Sequence, residues 1–180
     1  MTVDEIKTPE DILKFMDEHI VYGWLDINNE EHIGNLKNFR RLYRTASNEE
    51  VLDHWLWTCI EQVKLMSDLL NKIHIPNKMY CTRVYEWDDF NDLDADECMH
   101  CFVLYFINWK AYQIEHPNPE KVWIYEYSSE EDAIKQLNDY YEKSAGGTAR
   151  PVTEFFDVKP NLSFKEFNRY INSLDNHNAK

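Results

Sequence analysis

Long hydrophobic runs are missing from this chain. No apolar stretch approaches the about 18 residues that a membrane-spanning helix needs, so neither a transmembrane helix nor a membrane partner is expected. Glycine is scarce, four in 180 residues, while hydrophobic residues make up 43% and aromatics 14%, the composition of a globular domain rather than a disordered chain. Positive charge is short as well. Nineteen Lys and Arg against 33 Asp and Glu leave a net charge of −14, which cannot neutralise phosphates over a broad surface and argues against a nucleic-acid partner. The stretch Met1–Lys7 carries neither a basic segment nor an apolar one, so no secretory signal is expected. Four cysteines (Cys59, Cys81, Cys98, Cys101) then read as free thiols in a reducing cytoplasm. Repeats, low-complexity linkers and recognisable cofactor motifs are absent, so one domain over 1–180 is expected, with its core at about 20–160, and no cofactor.

What is present centres on Trp57-Thr58-Cys59-Ile60-Glu61-Gln62-Val63-Lys64-Leu65. Apolar residues recur at helical intervals from Ile60 to Ile73, and Pro76 ends the pattern. A thiol opening a helix faces unpaired backbone N–H groups and the positive end of the dipole, both of which favour thiolate. The plainer reading of Cys59 is a small buried hydrophobe.

Around that helix the chain reads as α+β. Thr8, Pro9 and Asp11 start a helix that runs to about His19, and residues 20–25 read as extended. Residues 28–31 form a turn. Residues 32–45 are weakly patterned; Lys37, Arg40, Arg41 and Arg44 read as a solvated face, with recognition of a substrate carboxylate as the alternative. Ser47 and Glu50 cap a helix over 48–56. Strands are expected at 78–87, 100–107, 111–116, 122–127 and 154–158. A helix over 129–142 is capped by Ser128 with Glu131, and another over 163–174 by Ser163 with Glu166. The acidic segment 88–97 holds Asp92, Asp94 and Asp96, yet lacks the Gly and Glu that an EF-hand needs at its sixth and twelfth positions, so it reads as a solvated loop. Gly146-Gly147 lacks the Lys of a phosphate loop.

A cysteine nucleophile needs a base, and the base needs an orienting group. His100 is the candidate base, because it opens the most apolar strand in the chain. If Asn108-Trp109 is a two-residue hairpin loop, Phe102 faces Glu115, and His100 and Glu115 share one face as diagonal neighbours. A three-residue loop reverses that parity and sets His116 beside His100 instead.

These residues resemble the transglutaminase-like superfamily, and more closely its bacterial transglutaminase-like proteins. The resemblance rests on Tyr22-Gly23-Trp24, on Cys59-Ile60-Glu61-Gln62-Val63-Lys64-Leu65, on His100, and on Glu115-His116, and spans roughly residues 20–145. It implies a papain-like α+β core, with a nucleophile helix packed on an antiparallel sheet and flanking helices. It implies a Cys59–His100–Glu115 triad for acyl transfer at an amide, by hydrolysis, deamidation or transamidation, on a protein, peptide or small amide. Thr58 and Ile60 stand where that family often has Gly and Trp. Gln62, one turn after Cys59, is a candidate substrate contact together with Trp24 and Trp57, or else Gln62 serves the backbone.

Two rival readings remain. A zinc-stabilised module could use Cys81, Cys98, His100 and Cys101, although their spacing departs from usual zinc motifs. A catalytically inactive transglutaminase-like fold could act as an interaction domain whose negative charge serves a basic partner.

Overall fold

The structure, a computed structural model, describes residues 1–85, 97–144 and 148–175. A short 3-10 turn, Val3–Glu5, precedes α1, Pro9–His19. The Thr8 hydroxyl accepts the Asp11 N–H at 3.2 Å, while the Asp11 carboxylate accepts that of Thr8 at 3.0 Å. The expected start and end of this helix are both met. Next come β1 (Val21–Leu25), β2 (Glu31–Ile33), α2 (Phe39–Leu42), α3 (Asn48–His54), β3 (Leu56–Trp57) and α4 (Cys59–Lys72). Four strands follow: β4 (Asn77–Tyr85), β5 (Glu97–Ile107), β6 (Lys110–Glu115) and β7 (Trp123–Tyr127). Helix α5 (Glu130–Ser144), β8 (Thr148–Phe155) and α6 (Phe164–Asp175) complete the chain. The fold is mixed α+β, as expected.

Strands β7-β6-β5-β4-β8 form one sheet in that order, antiparallel throughout. Helix α4 covers one face. There Val63, Met66 and Leu70 share a core with Cys81, Cys101 and Val103, joined by Phe15 of α1 and by Phe167 and Ile171 of α6. Helix α5 covers the other face, with Ala133 and Leu137 packed on Tyr80, Phe102, Leu104 and Ala111. Strand β5 is therefore buried on both sides, which accounts for its near-continuous apolar run. No helix among the described residues is long and apolar enough to cross a membrane.

Three expectations need correction. The last strand is Thr148–Phe155 rather than 154–158. Its pairing with β4 runs from Cys81↔Thr153 to Arg83↔Arg150, so two residues, Pro151 and Val152, stand against Thr82. Proline donates nothing to a ladder, but a bulge on an edge strand tolerates it. Helix α5 is capped by Ser129, whose hydroxyl accepts the Asp132 N–H at 3.2 Å, one residue later than the Ser128–Glu131 pairing suggested. The helix expected over 48–56 ends at His54: Trp55 turns the chain with φ 56°, and Leu56, together with Trp57, pairs with β1 in parallel. The acidic triplet Asp92, Asp94, Asp96 and Gly146-Gly147 lie outside the described residues.

The small sheet β2-β1-β3 explains Gly23. A Cβ there would stand 2.6 Å from the carbonyl oxygen of His32 and run into the Leu56 side chain on the other flanking strand. Gly23→Ala is expected to cost about 1–3 kcal/mol through overpacking, read from urea unfolding. A loss below about 0.5 kcal/mol would show that the strands beside Gly23 are not packed this closely.

Candidate active site

Thr58 is the N-cap of α4, and Cys59 is the first helical residue, 5% exposed. The Thr58 hydroxyl accepts the Ile60 N–H at 3.2 Å and donates to Glu61 Oε2 at 2.5 Å. The other Glu61 oxygen receives the Tyr43 hydroxyl. Thr58 therefore caps the helix through its side chain and holds a buried acid at the same time. Burial pushes the Glu61 carboxyl up to about 7, although the Thr58 and Tyr43 hydroxyls favour its ionised form.

His100 arrives from the sheet. Asn108 and Trp109 both have positive φ, 49° and 70°, as a two-residue type I′ hairpin requires. The register Val103↔Ile114 through Ile107↔Lys110 is the one expected for that loop, and it brings Phe102 opposite Glu115. His100 Nε2 donates to Glu115 Oε2 at 2.8 Å. The carboxylate, 2% exposed, also accepts Gln113 Nε2 at 3.0 Å and the Asn118 N–H at 3.1 Å. With Nε2 occupied, Nδ1 is the His100 nitrogen left to serve a nucleophile.

Cys59 supplies one. Its Sγ lies 3.8 Å from the Met99 carbonyl oxygen and adjoins both the His100 ring and the Cys101 thiol. The Cys101 thiol donates to it, burial opposes its charge, and the His100 cation supports it; together they pull Cys59 down to about 5. Cys101 itself is driven far upward by burial and by its thiol neighbours, so it stays protonated. For His100, burial disfavours the cation, but the charge of Glu115 and then Cys59 outweigh it and raise the imidazole to about 10. Across the intervening pH range the resting site is thiolate, imidazolium and carboxylate.

The neighbouring pair divides cleanly. Glu115 serves His100, whereas His116 Nδ1 meets Gln62 Oε1 at 2.7 Å. Gln62 is buried and donates its Nε2 to the Trp57 carbonyl at 2.8 Å. Of the residues expected to meet substrate, Gln62, Trp24 and Trp57 are all buried, and none lines the cavity at Cys59. Gln62 takes the backbone alternative, and Trp24 donates to the Asn35 carbonyl at 2.8 Å while stacking on His32.

A cavity of about 540 Å³ opens at the thiol, walled by residues of β1, α2, α4, β5 and α6 and the segment before α2. Thr58, Cys59, Ile60 and Met99 line it together with Tyr22, Leu36, Phe39, Arg40, Arg41 and Phe164. Sequence reasoning missed Gln113 and Tyr141. Gln113 was accessible to it, lying two residues before Glu115 on the same strand face. Tyr141, whose ring is 5.9 Å from that of His100, comes from α5 and carries no local signal.

The thiols do not gather with His100 as a zinc set. Cys81 and Cys101 face each other across β4 and β5, while the neighbouring His100 belongs to the opposite face; the side chain of Cys98 lies outside the described residues. Asp26, Glu30 and His32 are close enough to hold a metal ion. Asp26 Oδ1 already accepts the N–H groups of Asn28 at 2.7 Å and Glu30 at 2.9 Å, which is ordinary turn chemistry. No protein-family model matches the chain, and no curated protein matches it.

Two measurements follow. Alkylation of Cys59 by iodoacetamide should rise through pH about 5 and stay level to about pH 9, whereas His100→Ala should move the apparent pKa towards about 8.5. A wild-type midpoint near 8.5 would remove the ion pair. The second concerns Glu61, whose folded-state value is raised from 4.5 to about 7, so the fold favours its protonated form. Stability is then lost as pH climbs from about 4.5 through 7, by roughly 3 kcal/mol in all. Glu61→Gln should flatten that part of the difference between denaturant unfolding at pH 5 and at pH 8.

Proposed function

We propose that this chain is a cysteine-dependent acyl-transfer enzyme with a papain- or transglutaminase-like core, acting on an amide bond through Cys59, His100 and Glu115. The observation that carries the reading is the Glu115–His100 hydrogen bond of 2.8 Å, which leaves the second ring nitrogen of His100 to a thiol at a helix N-terminus. The order of the three residues and the packing of α4 on an antiparallel sheet support it, as does the resemblance to bacterial transglutaminase-like proteins.

The Cys59 thiolate adds to the carbonyl carbon, and the oxygen takes up the negative charge. Ile60 gives its N–H to the Thr58 hydroxyl and Gln62 gives its own to the Thr58 carbonyl at 3.1 Å. The Cys59 N–H, which takes neither acceptor, is the helix-end donor for that oxyanion. The His100 imidazolium passes its proton to the nitrogen as the C–N bond breaks, and a thioester remains on Cys59. Neutral His100 then draws a proton from water or from an amine. That nucleophile displaces the thiolate, giving an acid or a new amide, and His100 is again the cation. Glu115 holds the ring and stabilises its charge throughout.

The test is acyl-enzyme capture. Incubation with p-nitrophenyl acetate should place one acetyl group on Cys59, seen by intact-mass and peptide analysis and released by hydroxylamine. The acylation rate should fall about 100-fold or more in His100→Ala, in line with the worth of general acid–base catalysis. A Cys59 that iodoacetamide reaches, but whose acylation is no faster than that of a free thiol and insensitive to His100, would overturn the reading.

A further inference from the structure

A second cleft shares no lining residue with the cavity at Cys59. It holds about 610 Å³ between α1 and the β7 end of the large sheet. Glu10, Leu13, Lys14 and Asp17 follow one another at helical offsets of three and four, so they share one face of α1, and that face makes the first wall. The second wall is apolar and aromatic. Tyr105 and Tyr112 stack with ring centroids 5.0 Å apart and planes 12° from parallel, and Ile124 packs on the same core. Trp123 of the edge strand β7 also lines the groove and stands 65% exposed.

The charges along this groove do not cancel. Lys14 is its one cation among the described residues and lies 3.7 Å from Glu18, while Glu126 pairs with Lys110. Glu10 and Asp17 are exposed and make no ion pair or side-chain hydrogen bond among the described residues. Two turns of helix separate them, about 10 Å along its axis. We propose that this groove docks a basic, apolar segment of a partner protein, with two Lys or Arg side chains set against Glu10 and Asp17 and an apolar side chain between them on Leu13 and Ile124. The proposal is independent of the acyl-transfer reading. An aromatic face attracts a cation, and an indole does so best, so Trp123 works with the two acids. The long stems of Lys and Arg lie well on apolar walls while the charged head stays in water. An acidic segment would meet both carboxylates as like charges, which sets the sign of selection. A net charge of −14 draws any cation to the surface at large, so the test must separate the groove from the rest of the molecule.

The experiment is fluorescence anisotropy at low salt with two tetrapeptides, Lys-Leu-Phe-Lys and Glu-Leu-Phe-Glu, each carrying an uncharged dye. Wild type should bind the first and not the second. The Kd for the basic peptide should rise about 5-fold or more in Glu10→Gln/Asp17→Asn and about 3-fold or more in Trp123→Ala, the scales of two exposed ion pairs and of one cation–π contact. Asp139→Asn/Glu142→Gln makes the same change of net charge at exposed positions of α5, on the opposite face of the sheet, and should alter Kd less than about 2-fold. Lys14→Gln removes the groove's cation and should tighten binding about 2-fold, a gain that a damaged fold would not give. Circular dichroism establishes the folding of each variant. The proposal is overturned if the basic peptide shows no saturation below about 1 mM, if the two peptides bind alike, or if the two acid pairs weaken binding equally.

Discussion

The two-residue turn Asn108-Trp109 sets the register on which the site depends. Side chains alternate faces along a strand, so a slip of one residue between β5 and β6 would exchange the places of Glu115 and His116. In the observed register Glu115 lies with His100, and His116 lies with Gln62 of α4. One turn therefore supplies the carboxylate that charges His100 and also a tie between the sheet and the helix that carries the thiol. Both contacts would be lost together. The positive φ at both turn residues is accepted by Asn readily and by Trp at some cost, and the exposed Trp109 ring is not held by any packing that would repay it. The pairing of the flanking strands outweighs that local strain.

Electrostatics around Cys59 are a balance of several buried groups rather than a single pair. Full burial alone would hold the thiol neutral and the imidazole neutral. The Glu115 anion reverses this for His100, and the resulting cation, with a donor from Cys101, reverses it for Cys59. Glu61 works against the same thiolate from two residues further along the helix, since a second anion there would oppose the first. Its elevated value leaves much of it protonated near neutral pH, which limits that conflict. Thr58 and Tyr43 keep the carboxyl hydrogen-bonded in either state, so the acid can stay buried without an unsatisfied oxygen.

Much of this was legible from the chain because the signals are local. Thr8-Pro9 and Ser47 with Glu50 announce helix starts through hydrogen bonds that close within three residues. The β5–β6 register follows from loop length and the two-residue period. What escaped was decided by distant partners. Strand β8 contains Pro151, which reads as a strand breaker until the bulge opposite Thr82 is seen. Trp24, Trp57 and Gln62 are near Cys59 in sequence pattern, yet their burial in the core removes them from the cavity. Arg40, Arg41 and Arg44 look alike as a basic run, and only tertiary contacts with Glu50 on one side and the cavity on the other tell them apart.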